Sequence, residues 1–545
     1  MAVTAVKTPF TKMTFTPDVP SSALGATEYN SGFNIETDVR SIKSVLGDTY
    51  ILNQIPGNII FVTGGFLTGT NWYFIVATEQ GHWYLIDDAG YADITPTHGN
   101  FSGYNSSTVI TASWNGNTVF FNDMQNPPMY YTANENVIQL FDYPDYVTGQ
   151  TYVWNYDVGY NSSGNVVPLY SSLTAGFVRV YNSPNVGSLL VAGNLQGNIN
   201  ANVVPGGGTI QSLPTTIRWS QNFGLNSGPT TWAPTLTNVA NEVEIPVRGP
   251  VIDGFTLNGN FYLCSYWDTV LMAPIGYTST TAPVFGITIV TQGRGLINEN
   301  CWAIVDSTAY GVDARDIWAF NGSNFTPIGD QRIKNYFYNN LNANYTNQIF
   351  MVNNTAKYQI EIYYPDLNST GFCNQMISYR YDLDCWNPPR QVNKATMACE
   401  SPRWFGNVAN LATRGVVYSS AQGNVALVQK DFGTSFLGNT ISSQFQRNNI
   451  SFGQDYSASI QVHRVYPEIY GTGNIDITVG GADAVADTPT YETTVSMPIV
   501  TGNPWVQISQ NEARITSIKV SANSTANSWQ MTAANWQITK VQDTR

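Results

Sequence analysis

"NWYFIVATEQGHWYLIDDAG" (residues 71–90) places two apolar-aromatic runs on either side of Glu79-Gln80-Gly81. Short runs of this kind around a glycine turn read as a β-hairpin. "STVITASWNGNTVFFND" (107–123) repeats the scheme around Asn115-Gly116, a strong hairpin signal. "GPVIDGFTLNGNFYLCSYWDTVLMAP" (249–274) does so around Asn258-Gly259. "CWAIVDSTAYGVDARDIWAFNGSNFTPIG" (301–329) gives three short strands. "IFMVNNTAKYQIEIYYPD" and "NQMISYRYDLDCWNPPR" give three more, and "NLATRGVVYSSAQGNVALVQKDF" closes the series near Phe432.

Units of three or four strands returning every ~40–60 residues predict a β-propeller. A small sheet cannot cover both of its own faces, whereas blades packed radially bury one another and leave no long free edge. A pair of β-sandwiches and a β-helix are the alternatives. The fold class expected is all-β, with little helix, in three parts: an N-terminal arm (1–55), the propeller (56–432) and a β-sandwich-like domain (433–545) of longer alternating strands. The best helix candidate is "DQRIKNYFYNNLN" (330–342). Asp330 is placed to cap it, and Ile333, Phe337 and Leu341 fall on one face.

Composition narrows the function. Charged residues are 11% of the 545, against roughly 25% in ordinary domains, so the surface must be Asn, Ser, Thr, Gln and Gly. Net charge is −13, which argues against tight phosphate-backbone binding. Aromatics at 13% supply enough apolar area for a folded chain. The five cysteines, Cys264, Cys301, Cys373, Cys385 and Cys399, have no metal or redox spacing and read as buried free thiols. The start is a poor signal peptide, and no run is long enough to span a membrane. The sequons at Asn105, Asn161 and Asn368 follow from Asn and Ser abundance.

Chemistry-bearing groups are sparse. His82, His98 and His463 sit in separate elements, which speaks against Ser-His catalysis and His-rich metal sites. Acidic groups occur at Asp87-Asp88, Asp142 and Asp145, Asp313 and Asp316, and Asp483 and Asp487. A glycosidase needs two carboxylates facing each other across a pocket, but Asp at a strand end more often bonds turn backbone. Trp72, Trp83, Trp302 and Trp318 sit at strand positions, where a flat ring fills the wedge between sheets. No catalytic, metal or cofactor residue is assigned.

The order of these units resembles the tail nozzle, or hub, proteins of short-tailed bacteriophages, also called tail tubular protein B or DNA stabilisation proteins. "RWSQNFGLNSGPTTW" (218–232) is similar to that family's Arg-Trp-Ser, short loop, Thr-Trp blade ending. The segment 293–342 is similar to its Gly-Val, aromatic-Asn-Gly, Ile blade with a helix behind it. "YQIEIYYPD" followed by "MISYRYDLDCWNPP" is similar to the next blade, where a Tyr-rich strand turns into a Trp-closed one. The likeness runs in order over about residues 71–545. It excludes the N-terminal arm and "YVTGQTYVWNYDVGYNSSGNVVPLY" (146–170).

The resemblance implies a structural virion protein in the phage tail and not an enzyme. It further implies a homo-hexamer below the adaptor ring under the portal, contacts to tail fibres or spikes, no lipid anchor and no cofactor. Viral double-stranded DNA would pass through its bore without tight binding. On that reading Trp219 and Trp232 pack between sheets, and Gly224 and Gly228 permit the turn between them. The bore-lining residues are not assigned, but Asp, Glu, Asn and Ser are the expected types. The rival class is a carbohydrate-binding propeller, lectin or glycosidase, acting on host-surface glycans.

Overall fold

In the computed structural model six antiparallel sheets follow one another around a ring as seven blades of four strands, one sheet carrying a fifth strand and one sheet holding two blades that share a long strand. It describes residues 3–541 except 52–53, 70, 106, 145–148, 150, 205–206, 276–284, 404, 407–411, 414, 422–426, 453–457, 485, 501–503 and 525–527. Blades 1 to 5 begin with the strands Ile59–Thr68, Thr111–Asn115, Phe177–Ser183, Val251–Leu257 and Trp302–Val305. Each continues outward by hairpins. Blade 6 begins with Phe350–Asn354 and ends on the first half of the long strand Cys385–Glu400. The second half of that strand, from Ala395, is the first strand of blade 7. First strands lie against one another in blades 2, 3 and 4, in blades 5 and 6, and in blades 7 and 1. The protein is a β-propeller.

Local chemistry explains the hairpins. The Leu257↔Asn260 pair encloses Asn258 and Gly259, both at positive φ (52° and 77°), as a type I′ turn requires. In blade 2 the two-residue loop is Gly116-Asn117, one residue later than the Asn-Gly signal suggests, with Gly116 at φ 65°. Blade 3 carries an additional strand, Tyr170–Thr174, on its second strand. The segment before that strand contributes a two-stranded hairpin, Val158–Tyr160 with Val166–Pro168. Its Trp154 is fully buried, donating Nε1–H to Leu173 O at 2.9 Å.

The N-terminal residues, expected as an irregular arm, are woven through the rest of the chain. Val3–Pro9 pairs with Trp529–Val541, and Ile35–Asp38 and Ser41–Ser44 extend the same sheet. Ser31–Phe33 adds to a second sheet beside Ile441–Ile450. The two six-stranded sheets share one apolar core, where Val465, Trp536 and Ile538 meet Ile477, Ile518 and Val520. That core is continuous with Trp318, Ile377 and Trp386 of blades 5 and 6. The C-terminal strands are thus eight of the twelve in a unit that the first 44 residues complete. Three of the four N-terminal strands have only three or four residues and carry almost no period.

The chain then closes the ring. Thr49–Ile51 pairs with Leu427–Gln429 as the last strand of blade 7, so an early strand fastens the final blade. Buried charges sit at this seam. Arg390 pairs with Asp48 and Asp431, Lys430 with Glu361 at 2.9 Å, and Lys357 with Asp431 at 2.9 Å and with Glu36. Tyr418 donates its hydroxyl to Asp48 and Tyr363 to Glu361. Burial opposes ionisation of Asp431, but Arg390, Lys357 and Lys430 outweigh it and hold the carboxyl well below its ordinary range. At Asp48 burial wins over Arg390, and its carboxyl is shifted upward.

The helix forms over Lys334–Asn340, with Ile333, Phe337 and Leu341 all buried. Its cap differs from the expected Asp330. Asp18, from the N-terminal segment, accepts the N–H groups of Asn335 and Tyr336 at 2.7 and 2.8 Å. A carboxylate at the free amides of a first turn satisfies orphan donors and the helix dipole together. Asp330 instead lies 3.6 Å from the Lys334 ammonium.

Candidate functional site at the propeller axis

The first strand of blade 3, "FVRVYNS", is buried along almost its whole length, yet Arg179 stands in its middle. A buried guanidinium is tolerated only when its donors are matched. Here Nε and Nη2 make a bidentate pair with Asp253 of blade 4, at 2.8 and 2.6 Å. Nη1 donates to Ala112 O of blade 2 at 2.7 Å, and Nη2 also to Asn300 Oδ1 at 2.8 Å. Asp253 in turn accepts from Trp302 Nε1 of blade 5, at 2.8 Å, and from the Asn300 N–H. The guanidinium lies 5.1 Å from the Trp302 ring centroid. One ion pair therefore ties together the first strands of four consecutive blades.

Beside this pair lies a cavity of about 300 Å³. Its lining comes from the starts of several first strands: Phe61 of blade 1, Ile110 before blade 2, Glu299 and Asn300 before blade 5, Phe350 of blade 6 and Met397 of blade 7. Asn300 is held between Arg179 and Ile110 O, so this part of the lining is fixed. Glu299 is only 8% exposed. Its carboxyl is pushed up to about 7 by burial, with its own backbone N–H opposing, Asp253 adding to the rise and Arg179 offsetting it. It can hold or release a proton near neutral pH. Glu79, also in the lining, is engaged with Asn58 Nδ2 at 2.8 Å.

The residues singled out from sequence lie elsewhere. His82 is exposed, 3.7 Å from Asp93; His98 stacks on Tyr143; His463 bonds Thr539 across a C-terminal sheet. Asp87 accepts the N–H groups of Ala89 and Gly90, and Asp88 pairs with Arg403. Asp142 accepts Trp154 and Asn155 N–H groups, while Asp145 lies outside the described residues. Asp313 accepts Arg315 and Asp316 N–H groups and, with Asp316, faces Arg294. Asp487 accepts the Ala484 N–H; Asp483 is exposed on the same loop. These are turn and ion-pair carboxylates. Among the described residues no cluster of three or more His, Cys, Asp or Glu is placed to hold a metal. Cys264, Cys301, Cys373 and Cys385 are buried free thiols, and Cys399 is a half-buried one.

The tryptophans pack. Trp83 and Trp318 are fully buried, with Nε1 bonded to Tyr104 Oη and Gly295 O. Trp72 lies under Arg403, 4.9 Å from its guanidinium. Trp219 is 3% exposed and donates to Val239 O, and Trp232 meets Trp154 edge-on at 4.7 Å. The loop between them is a staple. Asn115 Nδ2 donates to Gly224 O and Ser227 O, and Asn226 Oδ1 accepts the Asn117 N–H, joining blades 2 and 3. The left-handed residue there is Asn226 (φ 62°) and not Gly224 or Gly228. A Cβ on Gly228 would sit 3.1 Å from the Phe120 ring, so this glycine serves close packing.

Arg179, Asp253 and Glu299 were missed by sequence reasoning. For Arg179 and Asp253 the signal was present: single charges inside the apolar runs "GFVRVY" and "PVIDGF", where a buried strand tolerates none without a partner; Glu299, in the polar run "INEN", had none.

No family model and no curated protein matches the chain. Among solved structures it is similar to a chain of a structure described as "Crystal Structure of Mitotic Checkpoint Complex", at 8% identity and a TM-score of 0.34, covering 70% of this chain and 88% of that one.

Proposed function

We propose that the chain is a structural protein of a short phage tail, a nozzle or hub subunit that assembles as a homo-hexamer below the adaptor ring and passes the genome outward. The observation that supports it most is the interlocking of both chain ends. Residues 3–44 and 441–541 share two sheets, and Thr49–Ile51 then seals the propeller. Neither end can peel away without breaking a shared core, which suits a part loaded by moving DNA. The Arg179–Asp253 pair bridges first strands inside one propeller, which supports a bore formed between copies over one through a single copy. A wall low in cations lets phosphate pass without a barrier at each contact. Tail fibres or spikes and the adaptor ring are the expected neighbours, and the protein resides in the virion tail.

The test is native mass spectrometry of the purified 59.9 kDa chain across ionic strength. A six-copy particle that persists from low to high salt is expected, because contacts between uncharged polar and aromatic surfaces are little screened. A monomer at all concentrations, or dissociation in moderate salt, contradicts the proposal.

A further inference from the structure

The axial cavity has the chemistry of a ligand site that the nozzle reading does not use. Among the described residues no Lys, Arg or His lines it, and the neighbouring Arg179 is committed to Asp253, Asn300 and Ala112 O. A phosphate or carboxylate would enter without a countercharge. A wholly apolar ligand would bury Glu299 against nothing, since no other described side chain bonds its carboxyl. Phe61, Phe350 and Met397 offer apolar contact, while Glu299, Thr108 and Tyr345 offer polar groups. A sugar ring presents this combination, C–H faces with hydroxyl edges. Small-ligand sites begin near ~300 Å³, so the cavity takes one ring.

We propose that this cavity binds one uncharged hexose or N-acetylhexosamine residue, with the Glu299 carboxyl hydrogen-bonded to its hydroxyls. Glu79, the second carboxylate of the lining, already accepts from Asn58 and Gln80, and a Glu299 carboxyl that keeps its proton both donates and accepts, which matches a hydroxyl. The proposal is independent of whether six copies form a ring.

Saturation-transfer NMR on the full chain tests it, with glucose, galactose, mannose and N-acetylglucosamine as probes and sialic acid and putrescine as charged comparisons, each at about 10 mM. At least one neutral sugar is expected to give a signal, and sialic acid none. Glu299→Leu should weaken that sugar about 10-fold and Glu299→Gln by less than about 3-fold, since an amide keeps a donor and an acceptor. Thr370→Trp, at the exposed rim, should block it while leaving the melting temperature unchanged. Silence from every neutral sugar overturns the proposal. So does binding that survives both Glu299→Leu and Thr370→Trp, or a preference for putrescine.

Discussion

The propeller axis and the closing seam both bury charge, but they do so differently. At the axis one bidentate pair, Arg179 with Asp253, joins blades that are consecutive in the chain. At the seam Glu36 and Asp48 pair with Lys357 and Arg390, more than 300 positions away, and Glu361, Lys430 and Asp431 extend the network. The first fixes the spacing of neighbouring blades. The second fixes where the ring ends. A chain with few charges has placed many of them inside, which leaves its surface still more neutral than composition suggests.

The largest expected effect comes from breaking the seam. Arg390→Met strands Asp48 in the interior and leaves Asp431 with only Lys357 and Lys430, and loss of a buried partner costs about 3–5 kcal/mol. Denaturant unfolding should show a drop of that size; a loss below about 1 kcal/mol would place the network at the level of a surface pair. Arg179→Met should cost about 3 kcal/mol by the same argument, and Asp253→Asn added to it should restore about 1–2 kcal/mol by removing the stranded charge. If the added change restores nothing, the axis is not one coupled pair.

Asp431 at the seam and Glu299 at the axis differ in the sign of their pH response. Asp431 is depressed, so its contribution is complete above the ordinary carboxylate range and is lost as pH falls below it. Glu299 is raised from 4.5 to about 7, so it weakens the fold as pH rises through that window. Glu299→Gln should therefore be neutral near pH 4 and stabilising by up to about 3 kcal/mol at pH 8. Equal melting of the variant and the parent at pH 8 would mean the carboxyl is solvated. The smallest effect is at the blade 2–3 staple: Asn226→Ala should cost about 1–2 kcal/mol through its left-handed backbone and lost bond to Asn117. Asn226→Gly should cost less, since only the bond is lost.

Legibility followed the same division. Hairpins such as 249–274 were readable because turn chemistry and apolar runs are local properties. The blade ending at 217–234 was located, but its left-handed residue was not, since Asn and Gly both supply positive φ. Closure by Thr49–Ile51 was invisible, because three residues carry no period and the partner lies at Leu427. Asp18 in place of Asp330 as the helix cap is the same failure: the capping group comes from over 300 residues away. Glu299 was passed over because a glutamate in a polar loop looks exposed until the blades converge on it.

The most direct measurement is electron microscopy of the purified, assembled chain with averaging of end-on views. The account predicts a six-fold ring with one central bore between copies and filled propeller axes around it. A single particle without symmetry, or density for duplex DNA threading a propeller axis, would contradict it.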